Sequence, residues 1–467
     1  MNKYKLGFES SNKELVIENL PTIGEIPSWL TGTLLRTGPV QFETKQKKLN
    51  HWFDGFSMLH SFTFNNGKVS YRNKFLQSDA YKSAQKNGEI NYREFATDPC
   101  RSIFKKFFTL FSTELTDNGN VNITKIANEY LALSETTLPI SFNPNLLNTK
   151  EHFKFDDNLK GQITTAHPHF DFETQEGFNY ITNFSRKSCY QIYKFSHNSK
   201  IRKLLAKIEV DKPSYMHSFG LTKNYVILVE WPFVVNPLDL VFSNQPFIKN
   251  YKWEPQRGLK FRLINRNNGK VTTLTSSEVY FAFHHINAFE KGNEIMLDIC
   301  AYKDPNIINA LYLDKLREDI PSLPKPSFRR FTLNLENSTV ISEQIINEPI
   351  ELPRLNYGKY NTKPYQFAYG ASYNKEVDFL NQLIKVDIES KKSIAWYKEN
   401  LYPGEPVFIP RPNAQSEDDG VILSVALDTM QSKSALVILN AKDFKEIGRV
   451  LLPHHIPFGF HGNFYKS

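Results

Sequence analysis

Short hydrophobic runs rich in β-branched and aromatic residues recur along the chain, and turn residues separate them. This pattern is typical of β-strands, and its clearest examples are Glu14–Glu18, Tyr225–Glu230, Glu294–Ala301, Gly420–Leu427 and Ser434–Leu439. Asn65-Asn66-Gly67 and Asn268-Gly269 each lie between two such runs, where Asn-Gly supplies the positive φ angles of a tight turn. The pattern therefore predicts a protein built mainly from β-hairpins.

Helical periodicity is scarce, and its candidates are the segments Asn306–Asp319 and Ser102–Leu115. No low-complexity linker, no shift in composition and no clean internal repeat divides the chain. Many strands, few helices and no internal boundary favour one large closed β architecture. We therefore expect residues 1–467 to form a single domain.

The composition is that of a globular protein rich in aromatic residues. Of 467 residues, 40% are hydrophobic, and 37 Phe and 22 Tyr bring the aromatic share to 14%. Packing between β-sheets explains this share, but a tunnel for a long apolar ligand needs the same residues. Composition alone does not choose between these two interpretations.

The formal net charge is +8, but the Lys and Arg residues are spread along the whole chain. There is no arginine-rich run and no aromatic RNA-binding motif, so we expect no nucleic acid partner. A mildly basic face suits an anionic lipid surface. Cys100, Cys189 and Cys300 form no CxxC pair, which argues against a disulfide framework or a zinc–thiolate site and for a reducing compartment.

The N-terminal ten residues lack the apolar core of a signal peptide. The longest apolar stretch, Tyr225–Phe242, contains two acidic residues and two prolines. These residues are too costly at bilayer depth for the stretch to be a transmembrane helix. We therefore expect a cytoplasmic protein that is soluble or bound to one membrane face.

Histidines carry the strongest chemical signal. Twelve are present, and several lie in unusual contexts, namely Ala166–Asp171, Tyr215–Gly220, Phe283–Asn287 and Phe460–Gly462. The absence of HExxH and of a His/Cys pattern disfavours a zinc enzyme with a local motif. A single histidine beside aromatic residues is usually a packed core residue. The four contexts, however, are 50, 67 and 177 residues apart, which suits ligands that different propeller blades donate to a common axis.

The chain resembles the carotenoid cleavage oxygenase family, which includes the retinal-forming carotene oxygenases and the vertebrate retinoid isomerase. The resemblance extends from about Leu20 to the last residue. Its motifs occur in family order, and they are Asn50–Gly55, Thr165–His169, Tyr215–Tyr225, Phe283–Glu290, Glu405–Phe408, Glu417–Val421 and Phe460–Gly462. Each motif is weak alone, but the ordered set is specific.

This resemblance implies an all-β fold, a seven-bladed β-propeller with iron on its axis and a helical cap over the metal-containing face. The Fe(II) ligands that it implies are His167, His217, His284 and His461. Of His167 and His169, the family uses the first. Of His284 and His285, it uses the histidine three positions before Asn287, which is His284. The histidines that then have structural roles are His51, His60, His169 and His285.

Four neutral imidazoles hold iron without cancelling its charge, and they leave up to two positions open for O2. A metal-bound histidine usually donates its second ring N–H to a carboxylate or carbonyl oxygen. By the resemblance, the carboxylates that orient the iron ligands are Glu135, Glu351 and Glu405. The alternative is that any one of them is an ordinary surface residue.

Three aromatic residues are candidates to line a tunnel near the iron. Tyr215 precedes His217 by two residues, Tyr302 lies in a strand that follows His284, and Phe53 belongs to the first motif. An aromatic face could stabilise cationic character in a polyene. The alternative for all three is ordinary sheet packing.

The segment Ser102–Leu115 predicts a membrane-docking helix. As a helix, it presents Ile103, Phe104, Phe107, Phe108 and Phe111 on one face, with basic residues near the polar boundary. A helix packed on the propeller has the same pattern, but the segment resembles the membrane-docking region of the animal members, which favours an interfacial helix. We therefore expect a peripheral membrane association through this segment.

The resemblance implies oxidative cleavage of a conjugated C=C bond in a carotenoid or apocarotenoid, with O2 as co-substrate and two aldehydes as products. The motifs look closer to the animal subgroup than to the plant epoxycarotenoid enzymes, which favours central 15,15′ cleavage of β-carotene to retinal. Apocarotenoid cleavage stays open, as does retinoid isomerohydrolysis, which needs the same iron but no O2. A non-catalytic carotenoid-binding propeller is the alternative from another class, and the intact His and Glu sets argue against it.

Overall fold

The computed structural model describes residues 3–97, 115–243, 245–318, 322–374 and 379–466. Over this part of the chain, seven antiparallel sheets of four to six strands follow one another and form a seven-bladed β-propeller. The fold predicted from the sequence is therefore confirmed. Blades are numbered below in chain order of their main strands.

The first four blades contain the following strands. Blade 1 consists of Val16–Ile17, Gly32–Gln41, Phe56–Asn65, Lys68–Phe75 and Gly462–Lys466. Blade 2 consists of Asn122–Ile126, Glu129–Leu133, Ile140–Phe142 and Thr149–His152. Blade 3 consists of Ile163–Thr164, His169–Asp171, Glu176–Asn183, Cys189–Ser196 and Arg202–Glu209. Blade 4 consists of Gly220–Leu221, Tyr225–Glu230, Leu259–Asn265 and Val271–Ser276.

The last three blades and a short ribbon complete the sheets of the described chain. Blade 5 consists of His285–Lys291, Glu294–Ala301, Ser327–Asn334 and Val340–Pro349. Blade 6 consists of Glu351–Arg354, Phe367–Ser372, Gln382–Asp387 and Lys392–Tyr397. Blade 7 consists of Thr22–Gly24, Leu401–Pro403, Val407–Pro410, Gly420–Asp428, Lys433–Asn440 and Glu446–Leu451. The two-stranded ribbon pairs Phe233–Val234 with Lys252–Trp253.

Strands from the two ends of the chain close the propeller. Gly462–Lys466 pairs with Gly32–Gln41 in blade 1, and Thr22–Gly24 pairs with Glu446–Leu451 in blade 7. Each of these blades therefore combines strands from both ends of the sequence. The pairing of Gly462 with Arg36 therefore fixes the position of the preceding residue, His461, at the edge of the blade 1 sheet.

The hydrophobic pattern predicted the strands well where both faces of a sheet are buried. Tyr225–Glu230 and Glu294–Ala301 have the predicted bounds, and both predicted Asn-Gly turns form hairpins, with positive φ at Gly67 and Gly269. The first predicted run shrinks to Val16–Ile17, because only these two residues pair with the edge of blade 1.

The helices of the described chain are short. The α-helices are α1 (Asp79–Asn87), α2 (Pro237–Phe242), α3 (Asn306–Ala310), α4 (Leu313–Leu316) and α5 (Tyr357–Tyr360). The 3-10 helices are Lys3–Phe8, Trp52–Asp54, Phe247–Asn250 and Pro255–Arg257. Helix α1 was not predicted from the sequence, although Ser78 accepts a hydrogen bond from the Tyr81 amide at its start and Gly88 ends it with a φ of 70°. Such end residues are readable signals.

The prediction of one helix over Asn306–Asp319 is wrong, because the chain breaks between α3 and α4. The Leu311 carbonyl accepts a hydrogen bond from the Trp52 amide at 3.2 Å, and the Leu313 amide donates to the Asn50 carbonyl at 2.8 Å. These bonds to a distant segment use backbone groups that a continuous helix would need. Tertiary pairing therefore overrides the local helical pattern.

The predicted docking helix Ser102–Leu115 falls almost entirely on residues 98–114, which lie outside the described residues. Within the described ranges, no helix combines the length and the apolar character that a membrane crossing requires. In the described chain, the predicted helical cap consists of short helices. Residues of α2 and α3 line a cavity whose wall also includes three of the four predicted histidine ligands.

Candidate metal centre

Seven candidate residues converge, and each blade supplies one of them. Each histidine comes just before a strand of its sheet: His167 before His169–Asp171 in blade 3, His217 before Gly220–Leu221 in blade 4, His284 before His285–Lys291 in blade 5 and His461 before Gly462–Lys466 in blade 1. The glutamates come from the other three blades: Glu135 after the second strand of blade 2, Glu351 at the start of blade 6 and Glu405 before Val407–Pro410 in blade 7. Their wide separation in sequence follows from this one-per-blade arrangement.

The four histidines form a tight cluster at the centre. Their ligand nitrogens all lie within 4.8 Å of one another, and His217, His284 and His461 are buried. The Nε2 atoms of His167 and His217 are 3.0 Å apart, and those of His284 and His461 are 3.1 Å apart. The structure thus brings together all four histidines that the resemblance implied.

Hydrogen bonds between blades hold the histidine loops. The Thr165 hydroxyl donates to the carbonyl of His217, which ties blade 3 to blade 4. The Ser218 hydroxyl donates to the Phe283 carbonyl at 2.6 Å, which ties blade 4 to blade 5. Because these bonds involve residues adjacent to the candidate ligands, they restrict how far the imidazoles can move apart.

Three imidazoles face the three glutamates through Nδ1. His217 Nδ1 lies 2.7 Å from Glu135 Oε1, His284 Nδ1 lies 2.5 Å from Glu351 Oε2, and His461 Nδ1 lies 2.8 Å from Glu405 Oε1. A carboxylate accepts and does not donate, so each of these Nδ1 atoms carries the proton. The Nε2 atoms of the three rings are left with lone pairs.

This donor set fits a metal ion. The lone pairs of His284 and His461 face each other across 3.1 Å, an arrangement that is repulsive unless a positive charge lies between them. Two metal–nitrogen bonds of about 2.1 Å that meet at right angles would separate their nitrogens by about 3.0 Å. The observed separations within both pairs match this value, so the cluster can hold one metal ion.

The pKa values of His167 and His461 are lowered, which favours the neutral imidazole that metal binding requires. Burial, opposed by the Glu405 charge, lowers the pKa of His461 to about 4. Burial and then the neighbouring imidazoles lower the pKa of His167 well below its usual value. Burial alone would raise the pKa of Glu405, but the Arg354 charge and the His461 hydrogen bond lower it to about 2.

Two arginines that the sequence analysis missed surround Glu405. Arg354 Nη1 lies 3.5 Å from Oε1, Arg36 Nη1 lies 3.6 Å from Oε2, and the Gly462 amide donates to Oε2 at 3.0 Å. Arg36 is 6% exposed and donates its other guanidinium N–H to the Phe460 carbonyl at 3.1 Å. The sequence signal for Arg36 was its charge within the hydrophobic strand Gly32–Gln41, because a buried charge usually has a partner.

The two tyrosines predicted near the iron contact glutamates. The Tyr215 hydroxyl donates to Glu135 at 2.9 Å, and the Tyr302 hydroxyl donates to Glu351 Oε1 at 3.1 Å. Burial, followed by the nearby carboxylate charge, raises the pKa of both phenols well above the usual value, so both keep their protons. Tyr302 also lies on the cavity wall.

Phe53 lies directly beside the histidine cluster. Its ring is 6.4 Å from the ring of His217 and stacks with it, and it contacts the rings of Phe283 and Phe460 at 5.6 and 5.1 Å. Phe53 therefore belongs to an aromatic group that covers the metal centre on the side of the cavity.

The remaining predicted structural histidines have partners outside the cluster. His169 bonds the Phe219 carbonyl and the Tyr357 hydroxyl at 2.8 and 2.9 Å. His285 bonds the Ser218 hydroxyl at 2.8 Å, His51 bonds the Ile308 carbonyl at 2.9 Å, and His60 bonds the Tyr71 hydroxyl at 2.9 Å. Their ring nitrogens therefore take part in packing contacts of the propeller and its cap.

A cavity of about 740 Å³ opens next to the cluster, and its wall includes His217, His284 and His461. The other residues close to the metal centre are mainly apolar, and they include Trp52, Phe53, Phe283, Leu352, Phe379 and Phe460. The wall also includes Leu238 and Phe242 of α2, both of which are exposed on the surface. This volume lies within the usual range of ligand sites.

Comparison with known proteins agrees with this geometry. The family model described as retinal pigment epithelial membrane protein matches residues 8–466. The chain is 34% identical to the mitochondrial carotenoid-cleaving dioxygenase of Mustela putorius furo, over 94% of this chain and 92% of the relative. It is 32% identical to the β,β-carotene 15,15′-dioxygenase of Gallus gallus, over 94% of each chain.

Solved structures give the same result. A variant of the Synechocystis apocarotenoid oxygenase superimposes with a TM-score of 0.89 and 26% identity, over 100% of this chain and 98% of that one. A cobalt-substituted form of that enzyme gives a TM-score of 0.87 and 27% identity, with the same coverage. Because the family model matches almost the whole of this chain, the chain belongs to the retinal pigment epithelial membrane protein family of carotenoid oxygenases.

Proposed function

We propose that the protein is a non-haem iron(II) dioxygenase that cleaves a conjugated C=C bond of a carotenoid with O2 and releases two aldehydes. The observation that carries this proposal is the cluster of four imidazoles beside a largely apolar cavity of about 740 Å³. The relatives with the same fold include enzymes named carotenoid-cleaving dioxygenase and apocarotenoid oxygenase, which supports the reaction type.

The residues that would hold the iron are His167, His217, His284 and His461 through Nε2. Bound iron(II) supplies the electron density that activates O2 toward an alkene, as in other non-haem iron oxygenases. Because no carboxylate would bind the metal directly, its charge would remain largely uncompensated by the ligands. Glu135, Glu351 and Glu405 would fix the tautomers of three imidazoles and make them better donors.

The aromatic residues would hold the polyene and exclude water. The ring of Phe53 contacts those of Phe283 and Phe460, and all three residues line the cavity beside the histidines. An apolar polyene gains by leaving water for such a wall. We propose that Phe53 and Tyr302 face the reacting part of the chain, where their π faces could stabilise cationic character. Tyr215 would act by positioning Glu135.

Within carotenoids, we propose central 15,15′ cleavage of β-carotene to retinal, which a relative's name supports. The test is chromatography of the products after incubation with β-carotene in the presence and absence of O2. Retinal as the single product, formed only with O2, supports the proposal. Two unequal aldehydes would move the cleavage to another bond, and β-carotene that binds but stays intact would favour a carotenoid-binding propeller.

Two alternatives within the family have separate readouts. Turnover of an apocarotenoid but not of β-carotene would favour apocarotenoid cleavage. Conversion of a retinyl ester to an isomerised retinol without O2 would favour retinoid isomerohydrolysis. The proposed dioxygenase requires O2 and incorporates both of its atoms into the aldehydes, which isotope labelling with ¹⁸O2 measures.

We also propose that the protein is cytoplasmic and docks on a membrane at the mouth of the cavity. Leu238 and Phe242 of α2 line the cavity and are 59% and 70% exposed, so both could bury apolar surface in a membrane interface. Burial of each in lipid would contribute about 1.5–3 kcal/mol. The docking segment predicted from the sequence, Ser102–Leu115, would contribute further apolar side chains to membrane binding.

A liposome flotation assay tests this surface. The double variant Leu238→Ser/Phe242→Ser should bind less to liposomes, while cleavage of detergent-dispersed substrate stays unchanged. Ile341→Ser is the matched control, because Ile341 is 66% exposed in blade 5 and lies outside the cavity wall. Equal flotation of the double variant and the control would place the membrane contact elsewhere.

We further propose that residues 1–467 act as one domain. Strands from both ends of the chain complete blades 1 and 7, so the propeller needs both ends to close. A single calorimetric unfolding transition supports this proposal, whereas two separate transitions would contradict it.

A further inference from the structure

A second, much smaller cavity lies between blades 1 and 7, and it shares no lining residue with the cavity beside the histidine cluster. Its volume is about 20 Å³, which holds one water-sized ligand and excludes an anion as large as phosphate. The polar side chains in its wall are those of Arg36, Thr37 and His60, all of which are buried. The other lining residues are apolar or glycine.

Arg36 brings a positive charge that its protein partners compensate only in part. Its Nη2 group donates to the Phe460 carbonyl at 3.1 Å. Its Nη1 group lies 3.6 Å from Glu405 Oε2, beyond hydrogen-bond distance, and has no hydrogen-bond partner among the described residues. Glu405 also faces Arg354, whose Nη1 lies 3.5 Å from Oε1. One buried carboxylate therefore faces two guanidinium groups, which leaves an excess of positive charge beside the small cavity.

His60 presents a second donor to this cavity. Burial, followed by the charges of His454 and Arg36, lowers the pKa of His60 to about 3, so the ring is neutral and carries one N–H hydrogen. The Tyr71 hydroxyl lies 2.9 Å from His60 Nδ1 and 3.2 Å from His454 Nε2. Because O–H donors bond at shorter distances than N–H donors, Tyr71 donates to His60 and accepts from His454. The hydrogen of His60 is therefore on Nε2, which has no hydrogen-bond partner in the described part of the chain.

Two unused donors in an otherwise apolar wall favour a ligand that accepts hydrogen bonds and carries negative charge. The Thr37 hydroxyl donates to the Gly119 carbonyl at 2.8 Å, so the N–H groups of Arg36 and His60 are the ones that face the ligand. A water molecule can accept from both groups, but it would leave the charge of Arg36 uncompensated, which is unfavourable in a buried site. A monatomic anion accepts both hydrogen bonds and also balances the charge.

We propose that this cavity binds one chloride ion between Arg36 Nη1 and His60 Nε2. The ion accepts one N–H bond from each residue and pairs with the excess positive charge beside Glu405. It thereby stabilises Arg36 in the position from which the guanidinium bonds the Phe460 carbonyl, directly before His461. The site requires neither substrate nor iron, so it is independent of the proposed carotenoid cleavage.

Bromide tests the site directly, because it replaces chloride and scatters X-rays anomalously at its own absorption edge. Crystals of the iron-loaded protein soaked in sodium bromide should show an anomalous peak at hydrogen-bond distance from Arg36 Nη1 and His60 Nε2. In His60→Leu, which removes one donor, the same soak should show no peak at this position.

A glycine variant tests the site without removal of a polar group. In Gly459→Ala, the new Cβ would lie 3.6 Å from Gly38 Cα, 3.7 Å from the Thr37 carbonyl oxygen and 3.9 Å from Arg36 Nη2. All three residues line the cavity, so the methyl group occupies the space of the ion at ordinary contact distances. The bromide peak should therefore be lost even if His60→Leu does not fold. Gly358→Ala, whose Cβ meets no atom within 4 Å, is the matched control and should keep the peak.

Thermal denaturation provides the readout in solution. At constant ionic strength, replacement of sodium gluconate by sodium chloride should raise the melting temperature of the wild type until the site is saturated, because the ion binds only the folded state. Gluconate is too large for a cavity of about 20 Å³. Gly459→Ala should lose this dependence on chloride, and Gly358→Ala should keep it.

A bromide peak at Arg36 and His60 that Gly459→Ala abolishes, together with a chloride-dependent melting temperature of the wild type, supports the inference. A water molecule at this position after the soak, or equal melting temperatures of the wild type in chloride and gluconate, would overturn it. A bromide peak that persists in Gly459→Ala would overturn it as well, since the ion would then lie outside the cavity.

Discussion

Replacement of each of the three glutamates by glutamine should have unequal effects, and the hydrogen bonds fix their order. Both oxygens of Glu405 face donors only, since His461 and Arg354 lie at Oε1, and Gly462 and Arg36 lie at Oε2. In Glu405→Gln, the amide NH2 therefore meets an N–H group in either orientation. Loss of one partner of a buried charge pair typically costs about 3–5 kcal/mol.

Glu351 and Glu135 offer a better position for an amide. Glu351 Oε1 meets only the Tyr302 hydroxyl, and Glu135 Oε2 meets only the Tyr215 hydroxyl. A hydroxyl can accept as well as donate, so the NH2 group of glutamine can replace either oxygen there. The imidazole still finds an oxygen acceptor, and the expected loss is about 1 kcal/mol, the difference between a charged and a neutral hydrogen bond.

Urea denaturation of the three variants measures these losses directly. We expect Glu405→Gln to lose about 2–4 kcal/mol more stability than Glu351→Gln or Glu135→Gln. Iron affinity should fall in all three, by about 10- to 100-fold, because each neutral amide polarises its imidazole less. Equal losses of stability in the three variants, or the largest loss in Glu351→Gln, would refute this account of the carboxylates.

Three other predictions concern packing and the metal. Asp298→Ala should cost about 3–5 kcal/mol in urea denaturation, because Asp298 is buried and accepts hydrogen bonds from Arg330 and Tyr365; an unchanged midpoint would contradict its role. Gly462→Ala should lower the melting temperature and iron content, because a Cβ there would lie 2.4 Å from a side-chain carbon of blade 1, whereas Gly358→Ala meets no atom within 4 Å and should behave as wild type. Removal of iron by a chelator should lower the melting temperature reversibly, because iron at 100 times its Kd raises the free energy of unfolding by about 2.7 kcal/mol. No shift would mean that the cluster binds no metal in the folded state.

The sequence predicted the framework of the molecule because local patterns determine it. Buried strands such as Glu294–Ala301 combine dense hydrophobicity with β-branched residues, and Asn-Gly pairs fix hairpins within a few residues. The four histidines could be grouped only through the ordered family motifs, since no local spacing links His461 to His167. The fold brings them together because each one comes just before a strand of a different blade, and these four strands have their starts close together.

What the sequence could not predict depends on contacts between distant segments. The break after α3 requires backbone bonds to Trp52 and Asn50, which no local pattern reveals. The pairing of Arg36 with Glu405 joins residues 369 positions apart in neighbouring blades. The Tyr215 and Tyr302 hydroxyls bind glutamates of other blades, so their aromatic rings alone gave an incomplete indication of their role.

Anomalous X-ray diffraction at the iron edge, from crystals of iron-loaded protein, would locate the metal and identify its ligands. We predict one anomalous peak, bonded to Nε2 of His167, His217, His284 and His461 and to no carboxylate oxygen. A peak bonded to His285 or to Glu405 would contradict it. So would a fully loaded protein whose iron lies away from the four-histidine cluster.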